Sequence, residues 1–151
     1  MDQELASRKV SILQNINSPS LPMIKHFKRL SHEPPPVIAQ LGWKFHHIGI
    51  PTTTPQPNET HLEQFGLHVS GYDSSPFGIE WMRFDSNSCL PEIIRTIPHI
   101  AFEVPDLESS LIGQQIIFPP TSPSGGVRSA MILHNGAPIE LISFSQSQLP
   151  M

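Results

Sequence analysis

Cysteine is nearly absent. Cys89 stands alone in 151 residues, which excludes an intrachain disulfide and a thiolate zinc framework and fits a reducing, cytoplasmic setting. Long apolar runs are missing too: none approaches the ~20 residues that cross a bilayer. The N-terminus has no charged region followed by an apolar stretch, and Asp2 and Glu4 run against the acid-poor composition of a targeting presequence. Neither a membrane span nor an export signal is expected. The net charge of −4 contains no block of like charges, so there is no electrostatic footprint for nucleic acid and no polybasic membrane patch. Small molecules and other protein chains are the expected partners.

Proline, by contrast, is abundant. Of the seventeen prolines, nine cluster at Pro34 to Pro36, Pro51 to Pro57 and Pro119 to Pro123, where the missing backbone donor breaks strands and marks loops. The regular elements must be short and lie between these clusters. A hydrophobic content of 38% over this length supports one domain with one shared core. Residues 1–42 read as an extension, partly helical around Met1 to Leu13 or disordered, carrying a small basic patch at Lys25, Lys28 and Arg29. Residues 146–151 read as a tail.

From Trp43 the pattern turns to short β-like runs. Phe45 to Ile50, Gly66 to Tyr72 and Ile79 to Phe84 form a first module over 43–85, with Asp73-Ser74-Ser75-Pro76 as a hairpin turn and Thr52 to Asn58 as a loop. A polar connector over 86–97 follows. The series then restarts over 98–145. Pro98 to Val104 is a strand, Asp106 caps a short helix through Gly113, and Ile116 to Phe118 is followed by a loop from Pro119 to Gly126. Val127 to Leu133 and Pro138 to Phe144 flank Asn135-Gly136, a two-residue hairpin signal because both positions accept positive φ. The second half reads strand, helix, three strands; the first is the same series with its helix reduced or lost between Pro55 and Gln64. Such repetition predicts an α+β fold of paired βαβββ modules with a mainly antiparallel sheet.

Each module places one histidine in its first strand and one glutamate in its last: His47 with Glu80, and His99 with Glu140, at intervals of 33 and 41 residues. Strand alternation puts Gly49 on the face of His47, and Ala101 on that of His99, so a small residue stands two positions beyond each imidazole. Glu80 shares its face with Met82 and Phe84, and Glu140 with Ile142 and Phe144. An ionised carboxylate on an apolar face is costly unless paired or bound to a metal. A divalent cation held by His47, Glu80, His99 and Glu140 compensates both, and the mixed N/O set suits zinc, nickel, cobalt, iron or manganese.

Each position also has a plainer reading. A lone strand histidine is commonly a hydrogen-bonded core residue, and a lone strand glutamate commonly faces solvent. Alternation turns His46 away from His47, as a structural or exposed residue. Glu103 reads as a supporting carboxylate, a base or a surface ion pair; Arg83 and Arg128 as anion holders or surface charges. His61, His68 and His134 show no ligand spacing and read as surface residues. Met82, Phe84 and Phe144 read as core.

With these segments in view, residues 43–145 resemble the vicinal oxygen chelate superfamily, which includes glyoxalase I, methylmalonyl-CoA epimerase, extradiol dioxygenases and bleomycin-resistance proteins. The resemblance rests on His47-Ile-Gly-Ile, Gly-Ile-Glu80-Trp-Met-Arg-Phe, Pro-His99-Ile-Ala-Phe-Glu-Val and Pro-Ile-Glu140-Leu-Ile-Ser-Phe. It implies a curled sheet around one metal and places the four residues as its ligands, in a set more like glyoxalase-type members than dioxygenases. It further implies a metal-dependent lyase or isomerase acting on a small oxygenated substrate through an enolate-like intermediate, with Glu80 or Glu140 as the base. The alternatives are a non-catalytic small-molecule-binding protein of the same fold and an iron-dependent dioxygenase. A homodimer is expected, because curled sheet of this size leaves apolar edges to cover.

Overall fold

Period-two alternation from Lys44 to Phe144 builds one sheet. A computed structural model of the protein describes Ile24 and residues 28–145; the expected helix around Met1 to Leu13 and the tail over 146–151 lie outside them. The strands are β1 (Lys44–Pro51), β2 (Thr60–Leu62), β3 (Leu67–Ser70), β4 (Ile79–Phe84), β5 (His99–Glu103), β6 (Gln115–Ser124), β7 (Val127–His134) and β8 (Ala137–Phe144). Among the described residues three short helices accompany them: α1 (Pro36–Leu41), α2 (Glu92–Thr96) and α3 (Leu107–Ser110), with a 3-10 turn at Glu63–Phe65.

The order β2-β3-β4-β1-β5-β8-β7-β6 is a sequence repeated about its centre. Each module pairs its first strand with its last in parallel, β1 with β4 and β5 with β8, and the modules join through antiparallel β1 and β5. The sheet curls until its two ends meet: the Phe65 and Phe118 rings are 6.0 Å apart, and Gln64 donates to the Ser122 carbonyl at 3.5 Å. This is the glyoxalase-like α+β fold of paired modules. The helix expected to be lost from module one is absent, since only a loop joins β1 to β2.

Burial follows the two faces. Outside module two, Phe102, Ala130, Ile132 and Leu141 pack beneath Leu107 and Leu111 of the α3 region, joined by Trp43 and by Val37, Ile38 and Leu41 of α1. Inside the curl, Leu67, Met82, Leu90, Ile94 and Met131 form a second cluster. α2 was not expected within the connector. Its signals were present: Pro91 before the first turn, Glu92 within it, Arg95 in the last turn, and Ile94 turned into the core at 2% exposure.

The expected loop from Pro119 to Gly126 is corrected. β6 runs through Pro119, Pro120 and Pro123 to Ser124. Among the described residues it is an edge strand whose one partner is β7, with three shifts of register, so the missing proline donors need not meet a second strand. The Asn135-Gly136 hairpin forms with φ of 48° and 82° at its two turn residues.

Candidate metal centre

The register of the sheet brings the two modules' histidines face to face. Across β1 and β5, His47 lies opposite Ala101 and Gly49 opposite His99, with Ile48 paired to Ile100 between them. The glutamates enter from the parallel pairs: Glu80 lies beside Gly49, and Glu140 beside Ala101. The small residues therefore make room for the opposite module's histidine. A Cβ on Gly49 would lie 2.1 Å from Cε1 of His99.

Three of the four expected residues converge closely. His47 Nε2 is 3.3 Å from His99 Nε2 and 3.3 Å from Glu140 Oε1, and His99 Nε2 is 3.2 Å from the same oxygen. Ligands at metal–nitrogen distances of ~2.0–2.1 Å around a tetrahedral ion stand about 3.3 Å apart, so three donor atoms already occupy the corners of such a site. They form a buried His/His/Glu group able to hold a metal ion. The fourth, Glu80, stands slightly apart, with Oε1 at 3.6 Å from His47 Nε2.

The electrostatics separate the two carboxylates. Burial pushes Glu140 up, but hydrogen bonds with His47 and His99 overcome it and hold the carboxyl well below its ordinary value. Burial raises Glu80, and the nearby His47 offsets this only partly. For His47, burial acts downward and is outweighed by the hydrogen bond and charge of Glu140, leaving it raised.

His46 does not turn away from the site. The β1–β5 register shifts between Phe45 and His47, making His46 the extra residue of a β-bulge and returning its side chain to the cavity side. Its Nδ1 shares a 2.7 Å hydrogen bond with Nδ1 of His47, and its Nε2 lies 3.1 Å from Tyr72 Oη. Burial, followed by the neighbouring His47, lowers its pKa. No feature of the sequence announced the bulge.

The four residues lie at the floor of a cavity of about 360 Å³, whose walls include Leu62, Phe65, Val69, Phe118 and Met131. Met82 serves as both core and lining and Phe84 packs only against the core, whereas Phe144, expected in the core, belongs to neither buried cluster and lines the cavity against the His46 ring. Neither arginine lines it. Arg83 makes a bidentate pair with Glu59, and Arg128 pairs with Glu108. Glu103 lies opposite Lys44 at the far end of β5. His61 and His68 depart from the expectation of isolated surface residues: they meet each other and Asp85 on the outer face of module one. The short β2 that pairs them gave no recognisable strand pattern.

No protein-family model matches the chain, and no curated protein does. Solved structures do. A hypothetical protein from Bacillus halodurans aligns over 72% of this chain and 99% of its own, at 20% identity and a TM-score of 0.54. Methylmalonyl-CoA epimerase from Mycobacterium tuberculosis aligns over 74% and 77%, at 19% identity and a TM-score of 0.43. At such identity the first likeness speaks for the fold alone, and the second carries no further argument. Fold and geometry together give an α+β fold of paired modules with a buried His/His/Glu cluster able to hold a metal ion. Among the described residues no helix is long and apolar enough to cross a membrane.

Proposed function

We propose that the protein is a metal-dependent lyase or isomerase that moves a carbon-bound proton of a small oxygenated substrate. The observation carrying this reading is the convergence of His47, His99 and Glu140 on one point, with Glu80 at the symmetric place, beneath a largely apolar cavity. The donor set fits a divalent cation of the zinc, nickel, cobalt, iron or manganese group. When bound, such an ion supplies stabilisation of negative charge on the substrate's oxygens.

The chain's own residues do the rest. Glu140, shared between both histidines, is the ligand carboxylate. Glu80 lies farther from the cluster, and its burial tunes it toward the range of a general base, so it takes the proton. With Nε2 of His47 given to the ion, its Nδ1–H donates to His46 Nδ1, and the Nε2–H of His46 donates to Tyr72 Oη. The apolar walls exclude water from the proton transfer and fit the substrate's carbon frame.

The test is solvent exchange. Protein loaded separately with each metal is incubated in deuterium oxide with a panel of α-hydroxy ketones and 2-oxo acids, and loss of the C–H signal is followed by proton NMR. Metal-dependent exchange that disappears in Glu80→Gln supports the reading. Metal uptake without exchange on any compound would move it to the non-catalytic binding protein of the same fold.

A second reading rests on the tight trio itself, since two histidines and one carboxylate with open positions also suit non-haem iron and oxygen. Oxygen consumption by the iron-loaded protein, lost under anaerobic conditions, would favour this dioxygenase. The placement of Glu80, matching that of Glu140 in the other module, favours the first. We also propose a homodimer, supported by Phe77 at 76% exposure and by Phe45, which packs against neighbouring Gly78 and is itself exposed.

A further inference from the structure

The two modules differ most on their outer faces. Module two covers Ala130 and Ile132 with Leu107 and Leu111 of the α3 region. Module one has no such helix, and the outer face of β2, β3 and β4 instead carries His61, His68 and Arg83, followed by Asp85. Loss of the helix explains polar residues there. It does not explain why two imidazoles converge on one carboxylate.

The convergence is built by backbone register. His61 and His68 are directly paired across antiparallel β2 and β3, with rings stacked at 4.1 Å and 5° between planes. Asp85 leaves the end of β4 with its N–H bonded to the Gly66 carbonyl, which sets its side chain against both rings. Its Oδ2 is 3.0 Å from His61 Nε2, and its Oδ1 is 3.0 Å from His68 Nε2. Arg83, paired with His68 across β3 and β4, is already neutralised by its bidentate pair with Glu59. Three ligand atoms of N, N and O type thus lie within 4.8 Å of one another on three separate segments.

We propose that His61, His68 and Asp85 form a second divalent-cation site, separate from the cavity, which takes an ion of the zinc class. Two imidazoles and one carboxylate suit such an ion. At side-chain exposures of 44% for His61, 20% for His68 and 28% for Asp85, solvent completes the coordination. The role is structural. β2 has only three residues and lies at the sheet edge, while Leu62, Leu67 and Val69 of the same two strands line the cavity from the inner face. An ion at this position ties β2 to β3 and to the exit of β4, stiffening one wall of the cavity from behind.

The test uses zinc alone, titrated into the full chain by calorimetry. Wild type is expected to take up a second equivalent, with micromolar affinity, beyond that of the central cluster. The second equivalent should persist in Glu140→Gln and be lost both in His61→Ala/His68→Ala and in Asp85→Asn. Asp85→Asn keeps the shape and much of the hydrogen bonding, so loss there is not a folding effect; unchanged circular dichroism checks this. Zinc should also raise the melting temperature of Glu140→Gln but not that of Glu140→Gln/His68→Ala. The proposal is overturned if Glu140→Gln binds no zinc, or if its zinc uptake is the same with and without His68→Ala. Either outcome leaves His61, His68 and Asp85 as an ion-paired cluster only.

Discussion

Gly49 is the point where the centre tolerates least change. Its missing side chain is the space occupied by the His99 imidazole, so Gly49→Ala should displace that ring and weaken metal binding at the central cluster at least tenfold. A stability loss of about 1–3 kcal/mol should accompany it, read from urea denaturation; near-normal affinity would show that the ring need not stand there. The titration of the cluster makes a second residue-scale prediction. His47, held above its ordinary value, contributes stability that is present below that value and lost as pH rises through the folded one. Glu140, held below its own, contributes stability that is present above the ordinary carboxylate range and lost as pH falls. Metal must displace the His47 proton, so zinc affinity at this cluster should climb with pH, by up to about tenfold per unit, and level off above the raised His47 value. An affinity independent of pH in competition titrations would contradict this. The four main residues were legible because alternation carries face and spacing directly into sequence. His46 was not, because one bulged residue reverses alternation and leaves no compositional mark.

Among the elements, legibility depended on whether the local chemistry was self-contained. The Asn135-Gly136 turn and the Asp106 cap each rest on a few neighbouring atoms, and both form as read, although the capped helix ends at Ser110 rather than running through Gly113. Asp106 accepts from the Ser109 N–H at 3.1 Å, so Asp106→Ala should cost about 1 kcal/mol by chemical denaturation, leaving metal binding at the central cluster unchanged; a negligible loss would show that packing of Leu107 alone holds the helix. β6 was misread because tolerance of proline depends on being at an edge, which is a property of the sheet. β2 was missed because three residues carry too little alternation, and with it went the pairing of His61 and His68. The lost helix of module one, by contrast, was visible as proline and polar residues where the second module has Asp106 and its apolar run.

At the scale of the whole molecule, duplication sets the architecture, and departures from duplication set the chemistry. Both first strands supply a histidine and both last strands a glutamate, yet only Glu140 bridges the two histidines. The proposed assembly rests on exposed apolar surface. The edge strands offer little for association, one being three residues long and the other carrying three prolines, so the proposed dimer should form through Phe45 and Phe77. Light scattering should give twice the chain mass, and Phe77→Ser should halve it; a wild-type monomer would remove the dimer. The central claim is that His47, His99 and Glu140 hold one metal ion, and it is tested most directly by zinc stoichiometry in equilibrium dialysis. His61→Ala/His68→Ala protein should retain one tightly bound equivalent, Glu103→Gln added to it should leave that equivalent in place, and Glu140→Gln added to it should remove it. No uptake in the parent variant, or equal uptake after the Glu103 and Glu140 substitutions, would contradict the account.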